Sequence, residues 1–332
     1  DGHRFYTDGP KIHQYLQELN ENTFGKYDDV VTVGEMSSTT LENSIRYSNP
    51  ESNELSMIFS FHHLKVDYPS GNKWEIEPFR FHDLKKHLFT WQEEMEKGGG
   101  WNALFWCNHD QPRIVSRIGN EKEYRVKSAK CLATAIHGLK GTPYIYQGEE
   151  IGMTNAGYTS IDEYMDIESL NYYNILKLQG KSEEEVIRIL GAKSRDNSRT
   201  PMQWDASENA GFTKGTPWLK VCDRYKEINT ESRHEPDSVF QYYKELVKLR
   251  KELPVIQKGA VTPLLREDKE ILAYKREYQG KELYVFCNFF DGEVKVPYSI
   301  PEDCKSILSN YGEEISPREL VLRPYEAVMF LR

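Results

Sequence analysis

The sequence predicts an α/β protein: half of a (β/α)8 barrel followed by a small all-β domain. Three observations predict it. Four apolar runs each end in polar or charged residues, helix-periodic stretches separate them, and after about Lys258 the pattern changes to short alternating strands divided by turn residues. In a βα barrel the active site lies at the C-terminal ends of the strands, so the polar strand ends are where chemistry is sought. The boundaries drawn are residues 1–257 for the barrel part, with a helical insertion around residues 155–230, and residues 258–332 for an antiparallel β domain.

Taken in order, the first helix is announced by Pro10, which suits a first turn, and by Ile12, Tyr15, Leu16 and Leu19 at helical steps. Val30-Val31-Thr32-Val33-Gly34-Glu35 follows as a parallel strand covered on both faces and ending in a carboxylate. A second run, residues 55–61, closes on His62-His63. The third, Ala103-Leu104-Phe105-Trp106-Cys107, ends in Asn108-His109-Asp110, and the helix after it carries Val126, Ala129, Leu132, Ala133, Ile136 and Leu139 on one stripe. Thr142-Pro143-Tyr144-Ile145-Tyr146 is the fourth strand. Within the insertion, Ser182 and Glu185 form a capping box ahead of a helix over residues 182–190. The last long helix starts at Asp237-Ser238, repeats Val239, Tyr242, Leu246, Leu249 and Leu253, and should stop at Pro254. The β domain is read from residues 271–276, 283–288 and 327–331.

Bulk properties narrow the function. With 52 acidic against 43 basic side chains and a net charge of -9, an extended nucleic-acid surface is not expected, since duplex binding needs clustered cations. No apolar run approaches the roughly 20 residues that cross a bilayer, so no membrane partner is expected. Five dispersed cysteines lack metal spacing and fit reduced thiols in a cytosolic setting; no metal and no cofactor is expected. The 21 Tyr, 14 Phe and 6 Trp suit either an ordinary core or the aromatic faces of a sugar site.

Glu35, directly after an apolar strand, would stand at a barrel mouth with apolar walls, surroundings in which a carboxyl keeps a proton for general acid work. Asp110 ends another strand, beside His109 and Arg113, as an ionised group able to accept hydrogen bonds from a sugar hydroxyl. Two carboxylates on one rim are what glycoside hydrolysis requires. Taken alone, each also fits a strand cap or a structural ion pair.

The ordered segments Val33-Gly34-Glu35, Asn108-His109-Asp110-Gln111-Pro112-Arg113, residues 141–150 and Asp196-Asn197-Ser198-Arg199-Thr200-Pro201-Met202-Gln203-Trp204 resemble the oligo-1,6-glucosidase branch of the α-amylase superfamily. Residues 1–10, 61–68 and 101–113 are most similar to branch members that hydrolyse trehalose 6-phosphate. The resemblance implies the C-terminal half of the barrel and a retaining mechanism, with Glu35 as acid/base and Asp110 as the transition-state carboxylate. It also implies substrate contacts from His109, Arg199, Arg113 and Glu149. Lys65 and Lys73, near the second strand end, are either solvated charges or the cations of a phosphate pocket.

The sequence departs from the family at one place: the position of the nucleophilic aspartate lies upstream of Asp1 and has no counterpart here. The expectation is therefore that the missing N-terminal half of the barrel is a partner, that some relatives hold calcium in that half, and that residues 1–332 alone are inactive. The implied activity is hydrolysis of a small phosphorylated disaccharide to glucose and glucose 6-phosphate in the cytoplasm. Alternatives are an α-glucosidase on neutral oligosaccharides and a catalytically inactive relative.

Overall fold

The structure is a computed structural model that describes residues 5–332; residues 1–4, part of the first motif segment, lie outside the described residues. Its first part alternates strand and helix. Helix α1 (Ile12–Asn22) begins two residues after Pro10, and strand β1 (Val33–Glu35) follows. Next come α2 (Leu41–Ser48), capped by the Thr40 hydroxyl, and β2 (Met57–Phe59). Helix α3 (Phe81–Gly98), absent from the sequence expectations, ends at Gly99 in the left-handed region (φ 72°). Beyond it lie β3 (Ala103–Leu104), the single-turn α4 (Ile114–Arg117), α5 (Arg125–His137) and β4 (Thr142–Pro143).

The strands are parallel and lie side by side in chain order. Val33 is in register with Met57, Ile58 bridges Asn102, and Ala103 pairs Thr142. Because all four run the same way, the residues after β1, β2, β3 and β4 emerge on one rim. The ladders are shorter than the apolar runs. Leu55 and Phe61 lie outside β2, and a 3-10 turn, His62–Leu64, follows; Phe105, Trp106 and Cys107 continue beyond β3 as buried chain.

The expected six-residue strand ending at Glu35 is corrected more substantially. Only Val33–Glu35 is paired, and Val31 is 66% exposed. The physical reason is one-sided pairing: among the described residues β1 bonds only β2, so Val30, Val31 and Val33 keep a face toward solvent. Helix α1 behaves likewise. Ile12 and Leu16 pack on the buried Tyr47, Ile58 and Met95, whereas Tyr15 and Leu19 are exposed.

The insertion holds α6 (Ile167–Leu178), α7 (Glu183–Lys193) and the short α8 (Asp196–Arg199). The Ser182/Glu185 capping box forms as read from the sequence. These helices have their own core of Tyr158, Tyr164, Leu176, Val186, Ile189 and Leu190, onto which Trp74 packs. Helix α9 (Val239–Glu252) is capped by Ser238. Pro254 ends it and then opens α10 (Pro254–Lys258), because a proline at the first helical position loses no hydrogen bond.

The remaining chain forms β5 (Ala260–Leu264), β6 (Ile271–Tyr278), β7 (Lys281–Asn288), β8 (Val294–Lys295), β9 (Lys305–Ser309), β10 (Val321–Leu322) and β11 (Ala327–Leu331). Five of them make an antiparallel sheet in the order β5-β6-β7-β11-β9. One face of this sheet shares a core with the barrel part: Leu272, Val285 and Met329 belong to the same buried cluster as Trp106, Leu132 and Leu246. The sheet thus packs against α5 and α10 on the side of the barrel part.

Candidate active site

Glu35 stands at the last paired position of β1, opposite Phe59 of β2. It borders a cleft of about 230 Å³ whose other walls are Phe59, Phe105, Cys107, Asn108, His109 and the Tyr144-Ile145-Tyr146 run. The floor is aromatic: Phe59 meets Phe105 edge-on at 4.9 Å and Tyr144 at 4.7 Å. The Glu35 carboxyl is exposed, so the apolar walls expected around it are present on the cleft side only. The open edge of β1 accounts for the other side, where a larger depression runs from Glu35 past Ser38 to Tyr47.

Asp110 follows β3 through a tight turn in which the Asn108 side chain accepts the Asp110 N–H at 2.9 Å. Its carboxylate meets Arg199 Nη2 at 2.9 Å and Arg195 Nη1 at 3.4 Å, and His109 Nε2 lies 3.7 Å away. Arg199 comes from α8, so the insertion reaches back to the rim and completes the site. The guanidinium also donates to the His109 carbonyl at 2.8 Å and to Asp166 at 2.5 Å. Arg195 pairs with Glu168 at 2.9 Å, and Glu168 with Lys73 at 2.7 Å. Asp110, Asp166 and Glu168 thus alternate with Arg199, Arg195 and Lys73, and the network is neutral.

Of the predicted site residues, Glu35 and His109 line the cleft, and Asp110 and Arg199 are tied to His109 beside it. Lys65 lies close to the acid: its ammonium donates to the Ser37 carbonyl at 2.9 Å and the Ser38 hydroxyl at 2.7 Å, and burial holds its pKa below the usual lysine value. The other three residues are engaged elsewhere in the structure. Lys73 is not a free cation but is committed to Glu168 and the Trp74 face. Arg113 is 1% exposed and donates to the Gln147 and Ser198 carbonyls, so it fastens loops together. Glu149 is 4% exposed and takes the Tyr243 hydroxyl at 2.7 Å, facing α9 rather than the cleft. Arg113 turns inward to meet carbonyls of the chain after β4 and of α8, which need donors, and Glu149 turns inward to the Tyr243 hydroxyl.

Sequence reasoning missed Asp166 and Arg195. Asp166 does carry a local signal, an acidic N-cap directly before α6, and Arg195 lies one helical turn before Arg199. Neither signal names the distant partner.

The family model described as Alpha amylase, catalytic domain, matches residues 1–259. The chain is 52% identical to the trehalose-6-phosphate hydrolase of Bacillus subtilis over 99% of its own length and 60% of that protein's. It is 48% identical to an oligo-1,6-glucosidase of Halalkalibacterium halodurans, again over 99% of this chain and 60% of the relative. A crystal structure of the Bacillus licheniformis trehalose-6-phosphate hydrolase superposes with a TM-score of 0.95 at 55% identity, covering 100% of this chain and 61% of that one. The chain therefore spans about 60% of the length of the curated relatives it matches. With the family match extending over residues 1–259 and the parallel strands, their rim and the following β sheet all in place, the chain belongs to the alpha-amylase catalytic-domain family.

Proposed function

We propose that this chain is the acid-bearing portion of a retaining α-glycoside hydrolase that splits trehalose 6-phosphate into glucose and glucose 6-phosphate. The observation that carries it is one aromatic-floored cleft shared by Glu35 and His109 at the ends of parallel strands, with Asp110 fixed alongside by Arg199. In this reading Glu35 protonates the leaving oxygen and later takes a proton from water. Asp110 and His109 hold hydroxyls of the distorted ring, and an aspartate forms the covalent intermediate. The five buried free cysteines support a reducing, cytoplasmic setting.

Phosphate specificity is supported by Lys65. The leaving group lies beyond the acid, and Lys65 contacts Ser37 and Ser38, just past Glu35 and Met36, while spending two of its three N–H donors. A second reading, hydrolysis of neutral isomalto-oligosaccharides, is favoured by the 48% identical relative named oligo-1,6-glucosidase and by the commitment of Lys73 to Glu168.

The test is a full-length enzyme assayed on trehalose 6-phosphate and on isomaltose. Trehalose 6-phosphate should be the better substrate, and Lys65→Ala should raise its KM roughly 10- to 100-fold while leaving an uncharged aryl glucoside nearly unaffected. Glu35→Gln should stop turnover of substrates with poor leaving groups but spare the first step for activated aryl glucosides. Equal losses on charged and uncharged substrates in Lys65→Ala would remove the phosphate assignment.

A further inference from the structure

The guanidinium of Arg199 uses all three nitrogens on three different partners: Nε on the His109 carbonyl, Nη2 on Asp110 and Nη1 on Asp166. A guanidinium is a rigid planar fork, so fixing one prong fixes the direction of the other two.

Asp166 is itself immobilised from several directions. As the N-cap of α6, its Oδ1 accepts the Glu168 N–H at 2.8 Å while its Oδ2 takes Arg199. Its own N–H donates to Asp196 Oδ1 at 3.0 Å, as does that of Met165. Asp196, fully buried, is anchored in turn by the hydroxyls of Ser169 and Ser194 at 2.9 and 2.8 Å. The insertion thus forms a rigid seat for one prong of the fork, and the fork aims the other two at the turn carrying His109 and Asp110.

We infer that Asp166 is a positioning residue: acting through Arg199, it sets the orientation of Asp110 and of the His109 backbone toward the substrate. This deepens the reading of Asp110 as a sugar-binding carboxylate and rests on it. Arg195 also reaches Asp110, at 3.4 Å, so loss of Asp166 would leave Asp110 with a cationic neighbour but without a fixed direction. The effect is one of aim rather than charge, which is why a remote change can cost as much as a misplacement of about 1 Å in a reacting group.

Asp166→Asn isolates this role, because an asparagine oxygen still caps α6 while the amide, turned toward Arg199, no longer pairs with a cation. In the full-length enzyme this variant should keep its thermal midpoint within about 3 °C and lose roughly 10- to 100-fold in kcat/KM on trehalose 6-phosphate and on an aryl glucoside alike. In a background of Asp110→Asn it should lose less than about 3-fold more, since the two act as one unit. The Arg199 Nε–H NMR signal should exchange slowly in the wild type, where it is held by the His109 carbonyl, and fast in the variant. Arg199→Lys keeps the charge but not the fork, and should give the same loss and the same non-additivity if Asp166→Asn does not fold. Unchanged kcat/KM in Asp166→Asn, or losses that multiply with Asp110→Asn, would overturn the inference. If the wild type hydrolyses no α-glucoside, the functional reading fails, and the Arg199 signal alone decides the clamp: altered exchange in Asp166→Asn upholds it and unaltered exchange overturns it.

Discussion

Glu149 shows at the scale of one side chain how burial changes chemistry. Its Oε1 takes the Tyr243 hydroxyl, the Cys107 thiol lies beside the carboxyl, and burial pushes it up from the usual 4.5 to about 7 despite these partners. The titratable groups facing it are Tyr243 of α9, the thiol of Cys107 after β3 and the neighbouring Glu150; none is a cation. A carboxyl that binds its proton more tightly in the folded state favours folding fully below its unfolded pKa, and that contribution falls away as pH rises through the folded value. Stability should therefore drop by about 3 kcal/mol between the unfolded value near 4.5 and the folded value near 7, then level off. Glu149→Gln keeps the acceptor for Tyr243 and has no proton to lose. Its thermal midpoint should match the wild type at about pH 5 and exceed it at about pH 8. Parallel curves for the two proteins would refute a protonated Glu149.

Whole elements are joined here by cations seated on carbonyl groups. Lys85, 1% exposed on α3, donates to the carbonyls of Leu265, Asp268 and Ile271 at 2.5, 2.8 and 2.9 Å, tying the barrel part to the start of β6. Arg250 of α9 and Arg276 of β6 do the same at the end of α5, taking the carbonyls of His137 and Leu139 and of Gly138, where the helix leaves acceptors unpaired. Lys85→Met preserves much of the packing but strips a charged donor from three carbonyls, and should cost about 2 to 4 kcal/mol in denaturant unfolding. Lys85→Arg should not restore it, because the larger planar guanidinium does not fit the enclosed space in which a single ammonium meets the three carbonyls. A loss below about 0.5 kcal/mol in Lys85→Met would mean that water replaces the ammonium without penalty.

At the scale of the whole molecule, the second edge of β1 has no strand partner among the described residues, and Tyr15, Leu19, Tyr27, Val30 and Val31 are exposed nearby in the chain. Open parallel edges and contiguous apolar surface promote association. A polypeptide of residues 1–332 is expected to self-associate through this edge, and Val31→Lys should weaken the association by placing a charge on it. Sedimentation velocity on material of verified mass checks this, and a wild type that sediments as a monomer would contradict it.

Much of the fold was legible because its signals are local. The Ser182/Glu185 box, the Ser238 cap and the apolar stripe of α5 depend on residues about four positions apart, and an apolar run ending in polar residues marks a barrel rim without knowledge of its neighbours. The same locality placed Glu35, His109, Asp110 and Arg199 by motif. Tertiary structure alone decided which way charged side chains face: Arg113 and Glu149 lie in motifs yet point inward, and Lys73 is neutralised by Glu168, 95 positions away in sequence. It alone also paired Arg199 with Asp110 across 89 positions and seated it on Asp166. The physical reason is that caps and periodicity are fixed by short-range backbone geometry, whereas an ion pair forms only between groups that the packing of distant segments brings together and removes from water.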